Sequence, residues 1–128
     1  MQRSSGKPNT KRLRAEQAGR LAEVLAALWF QLRFYRILRR RYRSPVGEID
    51  LVLRRGRTVV FVEVKARGRA SSEEDALRSV NQGRIVRAAN HFLMRHPELS
   101  GYDMRFDVIF LAPGQWPRHI HNAFGLTG

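Results

Sequence analysis

The chain has 128 residues, 43% of them apolar, no cysteine, and 24 Lys and Arg against 11 Asp and Glu, for a formal net charge of +13. This length suits one domain with a real core. The lack of cysteine excludes a disulfide framework and a thiolate metal site, and the positive excess favours a polyanionic partner, nucleic acid ahead of an anionic membrane surface.

The charge is uneven along the chain. Residues 1–43 hold 12 basic and two acidic side chains, whereas the remaining 85 hold 12 and nine. The longest apolar run is broken by Glu23 and too short to span a bilayer, and the basic N-terminus lacks the apolar core of a secretory signal. A cytoplasmic protein without membrane attachment is expected.

Residues 1–14 are polar and basic, include Gly6 and Pro8, and read as a flexible tail before a single α/β domain over residues 15–128. From about Ala15 to Leu32 the pattern turns helical. Ala18, Leu21, Ala22, Leu25, Leu28, Trp29 and Leu32 recur at three- and four-residue spacing and form the expected core stripe, while Val24, Ala27 and Phe30 add apolar surface elsewhere. Glu23 is the single polar residue between Leu21 and Phe30, so it either reaches solvent or has a partner.

Arg33 to Arg43 interleaves Phe34, Tyr35, Ile37, Leu38 and Tyr42 with six arginines, as a helix end running into a first strand. The mixture suits phosphate contact with some stacking, or arginine stems lying over the core edge. Ser44-Pro45-Val46-Gly47 is a turn.

Gly47-Glu48-Ile49-Asp50-Leu51 and Phe61-Val62-Glu63-Val64-Lys65 then read as the arms of a β-hairpin turning at Arg54-Arg55-Gly56-Arg57. Residues two apart share a strand face, so Glu48 goes with Asp50 and Glu63 with Lys65. A two-residue loop at Arg55-Gly56 places Glu48 opposite Glu63 and Asp50 opposite Phe61, and all four groups converge. A three-residue loop separates the two pairs. Three carboxylates crowded beside one ammonium suit a hard divalent cation, Mg²⁺ or Mn²⁺, with the lysine placed for a phosphate oxygen or an attacking water. A solvated sheet face is the other reading of the same pattern.

Residues 66–70 form a glycine- and arginine-rich loop. Ser71 with Glu74, or Ser72 with Asp75, can cap a helix that runs to His96, with a break near residues 81–83 and a stop at Pro97. Ile85, Ala88, Ala89, Phe92 and Leu93 give it a core face, and Arg84, Arg87, His91 and Arg95 a basic stripe. Arg105 to Leu111 is an apolar strand containing Asp107, and His119 to Phe124 is a further short strand. His119 and His121 have a metal-ligand spacing but no third partner nearby. There is no internal repeat, P-loop or GxGxxG.

Gly47-Glu48-Ile49-Asp50-Leu51, Phe61-Val62-Glu63-Val64-Lys65, the alanine-rich helix after Gly83 and Arg105-Phe106-Asp107-Val108 together resemble the YraN family of small bacterial proteins, which is similar to archaeal Holliday-junction resolvases of the PD-(D/E)XK nuclease superfamily. The resemblance runs from about Gly19 to Phe124. It implies a restriction-endonuclease-like mixed sheet flanked by helices, and a Mg²⁺- or Mn²⁺-dependent endonuclease acting on DNA, branched or junction DNA included. Asp50 and Glu63 match the metal ligands, Lys65 the signature lysine, Glu48 an additional acid, and Glu23 the first-helix acid that reaches the same site in the resolvases. Where many relatives carry a lysine at the start of the second helix, this chain has Asn81-Gln82, and Gln82 is a weaker candidate. Arg12, Arg14, Arg39, Arg40, Arg41, Arg43, Arg67, Arg69, Arg84 and Arg87 are the expected backbone contacts. A homodimer follows by analogy with the resolvases. The alternative is a nucleic-acid-binding protein that keeps the nuclease fold without turnover.

Overall fold

A computed structural model describes residues 10–66 and 80–124. Its elements in chain order are helix α1 (Thr10–Gln31), strands β1 (Arg36–Ser44), β2 (Gly47–Arg55) and β3 (Thr58–Ala66), helix α2 (Gln82–Met94), a 3-10 turn at Pro97–Leu99, and strands β4 (Asp103–Leu111) and β5 (Arg118–Phe124). Helix α1 starts at Thr10, so residues 10–14, expected in the tail, have helical backbone. Arg67, Arg69 and both capping pairs lie outside the described residues, as do the side chains of Arg12 and Arg14.

The strands form one five-stranded sheet in the order β1-β2-β3-β4-β5. Only β3 and β4 run parallel, and a parallel step needs a crossover, which contains α2. The sheet is therefore mixed and flanked by helices, consistent with a restriction-endonuclease-like fold. Central strands covered on both faces need apolar side chains on both, which explains why β2, β3 and β4 read as near-continuous apolar runs. On one face Val52, Phe61, Phe106, Val108 and Phe110 pack with Ile85, Ala88, Ala89 and Phe92 of α2. On the other, Leu51, Leu53, Val60, Val62 and Ile109 pack with Ala22, Ala26, Ala27 and Phe30 of α1.

The expected core stripe of α1 needs correction. The buried face is Ala22, Ala26, Ala27 and Phe30, whereas Leu21, Leu25, Leu28 (50% exposed) and Leu32 (75%) face outward. Branched side chains from three strands already fill the layer, and alanines let the helix approach it closely. The outward leucines line an apolar groove of about 800 Å³ that also borders Trp116 and Pro117.

The end of α1 breaks a local rule. Tyr35 N–H donates to Phe30 O, and Phe34 N–H to Gln31 O, each at 3.0 Å; this is a Schellman closure, and the Tyr35 and Phe30 rings meet edge to face at 5.2 Å. The residue after the cap in this motif is normally glycine. Here it is Phe34, at φ 68°, a left-handed conformation costing roughly 1–2 kcal/mol in an L residue.

Gly47 is required by contact. A Cβ there would lie 2.7 Å from Arg84 O, and its φ of +154° disfavours a side chain in any case. Gly47→Ala is expected to cost about 2 kcal/mol and to lower Tm by roughly 8 °C, as read by thermal denaturation. An unchanged Tm would mean that α2 does not press on β2 at this point.

Candidate functional site

The hairpin has a two-residue turn, but it is Gly56-Arg57 rather than Arg55-Gly56, with Arg55 opposite Thr58 and Gly56 at φ 61°. The register moves accordingly. Val52, not Asp50, lies opposite Phe61, and carrying the pairing beyond Leu51–Val62 brings Asp50 level with Glu63. Strand alternation also slips at Asp50: Leu51 and Leu53 pack on the α1 side, whereas both Val52 and Ile49 pack on the α2 side.

Three of the four expected groups come together. Asp50 Oδ2 accepts the Val64 N–H at 2.8 Å, and Glu63, level with Asp50 on the neighbouring strand, is close enough to act on its carboxyl. Lys65 Nζ lies 3.5 Å from Glu63 Oε2, and both side chains are half-buried. Burial first, then the neighbouring Glu63 carboxylate, push Asp50 up to about 7. The Val64 amide and the Lys65 charge pull the other way. A half-buried aspartate whose proton is held by burial and by a neighbouring carboxyl, with a lysine beside them, is the chemical signature of this site.

The remaining acids stay outside the pair. Glu48, expected on the same face, is 60% exposed and lies 3.8 Å from Arg43 Nε, so it is a surface ion pair. Glu23 is half-buried but committed, since Arg41 Nε donates to its Oε1 at 2.6 Å. Arg41 adopts φ 53° between Arg40, opposite Leu51, and Tyr42, opposite Ile49. The Glu23 hydrogen bond and charge raise the Arg41 pKa, with Asp50 and Glu48 adding to them. Arg41, expected to face the nucleic-acid backbone, is thus tied to α1. Among the described residues no group of three or more His, Asp or Glu is set to hold a metal ion.

The other predicted arginines surround this end of the sheet. Arg39, Arg40 and Arg43 are exposed on β1, an edge strand, and Arg84 and Arg87 are exposed on the first turns of α2. The Arg84 carbonyl abuts Gly47, three residues before Asp50. Gln82 opens α2 and is exposed, and Asn81 caps the helix by accepting the Arg84 N–H. Of the basic stripe, His91 is turned inward to Tyr42.

Asp107 belongs to a second polar cluster that the sequence did not assemble. It is fully buried, takes two hydrogen bonds from Arg105 and one from the Asn122 amide, and pairs with His119 Nε2 at 2.6 Å. Arg105 also donates to the Tyr35 hydroxyl. His119 is therefore a partner of Asp107 and not one half of a histidine metal site. The His121 ring lies against it, tilted, with centroids 3.8 Å apart, and burial followed by the neighbouring His119 charge lowers the His121 pKa.

A small, strongly basic α/β protein with a mixed five-stranded sheet and a half-buried carboxyl pair at one sheet end is the class that fold and site define. The sequence pattern described as Uncharacterised protein family UPF0102 matches residues 22–111. Similar chains include a UPF0102 protein of Parvibaculum lavamentivorans, 47% identical over 93% of this chain and 89% of that one. Another is that of Methylorubrum extorquens, 45% identical over 94% of each. The chain belongs to the UPF0102 family, which bears out the YraN resemblance at the level of the family. Among the described residues no helix is long and apolar enough to cross a membrane.

Proposed function

We propose that the protein is a metal-dependent endonuclease that hydrolyses phosphodiester bonds, with DNA, branched or junction DNA included, as the favoured substrate. One observation supports this above all: Asp50 and Glu63 are brought level on neighbouring strands, both half-buried, with Lys65 beside them, on a chain of net charge +13. The set suits a hard cation such as Mg²⁺ or Mn²⁺, because every donor is a carboxyl oxygen and a cation would take the place of the Asp50 proton. Bound there, it would supply a water of lowered pKa and neutralise charge on the scissile phosphate.

The chain's own groups do the rest. The Val64 amide pins one Asp50 oxygen, so the carboxylate keeps its orientation when the proton leaves. Lys65 offsets part of the charge of the pair and offers its ammonium to a phosphate oxygen or to the attacking water. Arg39, Arg40 and Arg43 hold the backbone, with little sequence reading expected. By the resemblance a symmetric dimer goes with this reading, and the absence of cysteine suits the cytoplasm.

A second reading, nucleic-acid binding without turnover, has its own observation: Glu23, the acid that would complete the site, is held by Arg41. Duplex, single-stranded, flap and four-way DNA and structured RNA, each incubated with Mg²⁺ or Mn²⁺ and with EDTA, separate the two. The nuclease predicts metal-dependent, EDTA-sensitive cleavage of at least one substrate. Salt-sensitive binding with no cleavage of any substrate would leave the binder.

A further inference from the structure

Phe34 is a residue that the fold does not need. It occupies the glycine position of the Schellman closure at φ 68°, and its ring is 87% exposed. An apolar side chain placed in solvent on a disfavoured backbone gains nothing from packing, and such violations concentrate at functional positions.

Its surroundings state what it could hold. Arg33, Arg36 and Arg55 are exposed around the same turn, and Arg55 Nη1 donates to Arg33 O at 3.4 Å. From this turn the edge strand β1 carries the exposed Arg36, Arg39, Arg40 and Arg43 toward the carboxyl pair, which lies level with Arg41. The run from Phe34 to that pair spans on the order of 20 Å at about 3.3 Å per residue. An exposed aromatic ring at the head of a row of cations is the arrangement that stacks a base and tracks its backbone in single-stranded recognition. A paired base offers its faces to its neighbours and not to a protein ring.

We propose that Phe34 stacks on an unpaired nucleobase, so that the protein engages nucleic acid with a single-stranded stretch leading along β1 to the carboxyl pair. This rests on the nucleic-acid reading above and narrows its substrate class to strands with unpaired nucleotides. No chemistry occurs at Phe34; it is a binding residue.

The test measures, in EDTA, the affinity of the full chain for a fluorescent 12-nucleotide single strand and for a blunt 12-base-pair duplex. Parent, Phe34→Gly and Phe34→Tyr are compared, and the melting temperature of each is recorded. Phe34→Gly is expected to weaken single-strand binding about tenfold, the scale of one lost base stack, with duplex affinity within about twofold of the parent. Phe34→Tyr should keep the parental affinity. Tm of Phe34→Gly should hold or rise by about 4 °C, because a left-handed strain is relieved. A parent that binds neither probe overturns the nucleic-acid reading itself. A parent that binds while Phe34→Gly binds equally well, or loses duplex and single strand alike, overturns the stacking role alone. A lower Tm, or loss of self-association in sedimentation without loss of binding, assigns Phe34 to protein packing and also overturns it.

Discussion

Glu63→Gln and Lys65→Ala are expected to lower cleavage by on the order of 10²- to 10³-fold each, the usual cost of removing one preorganised charge from a transition state, while leaving nucleic-acid binding intact. Glu63→Gln removes an ionised ligand without changing side-chain volume. It also removes the second-largest influence on Asp50, so the Asp50 pKa should fall back toward the ordinary carboxylate range, with burial alone still holding it up. The sign of the accompanying stability change follows. An acid whose folded pKa is raised favours the fold while it is protonated and opposes it once ionised, so the parent loses stability between the ordinary 3.8 and about 7. Glu63→Gln should therefore be more stable than the parent at pH 8 in the absence of metal, as read by urea denaturation. Divalent cation should raise the Tm of the parent and not that of the variant. Lys65→Ala takes a cation from beside Glu63 and should do the opposite, lowering metal-free stability at pH 8. Cleavage surviving at the parental rate in both purified variants would mark a contaminating nuclease and remove Asp50, Glu63 and Lys65 from the proposed mechanism.

The four charged groups stood out in sequence because charges at a spacing of two in aliphatic strands are unusual, but the pattern put Glu48 opposite Glu63, and only the family resemblance set Asp50 with Glu63. The register of the hairpin was not legible. Arg55-Gly56 and Gly56-Arg57 are equally good two-residue turns on composition, and choosing between them decides whether Asp50 meets Phe61 or Glu63. Helix α1 failed for a related reason. Its C-terminal half is apolar nearly all round, so its period located a helix without saying which side packs, and the larger leucines drew the assignment away from Ala26, Ala27 and Phe30. Arg41 could not be read at all. Its left-handed backbone has no glycine or asparagine to announce it, and that conformation accompanies the guanidinium's contact with Glu23. The element order, by contrast, came through because turns at Ser44–Gly47, Gly56 and Pro97 punctuate it with residues whose backbone preferences are strong.

Asp107→Asn is expected to destabilise the protein by about 3–5 kcal/mol, the cost of breaking a buried ion pair by deleting one partner. Each carboxylate oxygen has two partners: Oδ1 takes Arg105 Nε and the Asn122 amide, and Oδ2 takes Arg105 Nη2 and His119 Nε2. An amide at this position turns one of these acceptors into a donor that faces other donors, and it leaves the Arg105 charge without its counterion. The loss spreads beyond one residue, because Arg105 reaches Tyr35 and the rings of Phe30, Tyr35 and His119 pack edge to face. The pieces clamped together are the end of α1, the approach to β1, and strands β4 and β5. Burial alone would raise the Asp107 pKa, but the hydrogen bonds from His119, Arg105 and Asn122 outweigh it and hold the carboxyl at about 2, below the ordinary 3.8. An acid with a depressed folded pKa stabilises the fold in full above its unfolded pKa and loses that contribution as pH falls through the folded one. Asp107 should thus supply about 2 kcal/mol at pH 5 that disappears between about pH 4 and pH 2. Asp50 acts in the opposite sense at higher pH, so metal-free stability should peak near pH 4–5 and decline on both sides. Urea denaturation across pH 2–8 reads both limbs. The acid limb should flatten in Asp107→Asn while the Asp50 limb persists. A variant as stable as the parent at pH 5 would mean that Arg105 and His119 are satisfied without Asp107, and that the cluster does not hold β5 to the sheet.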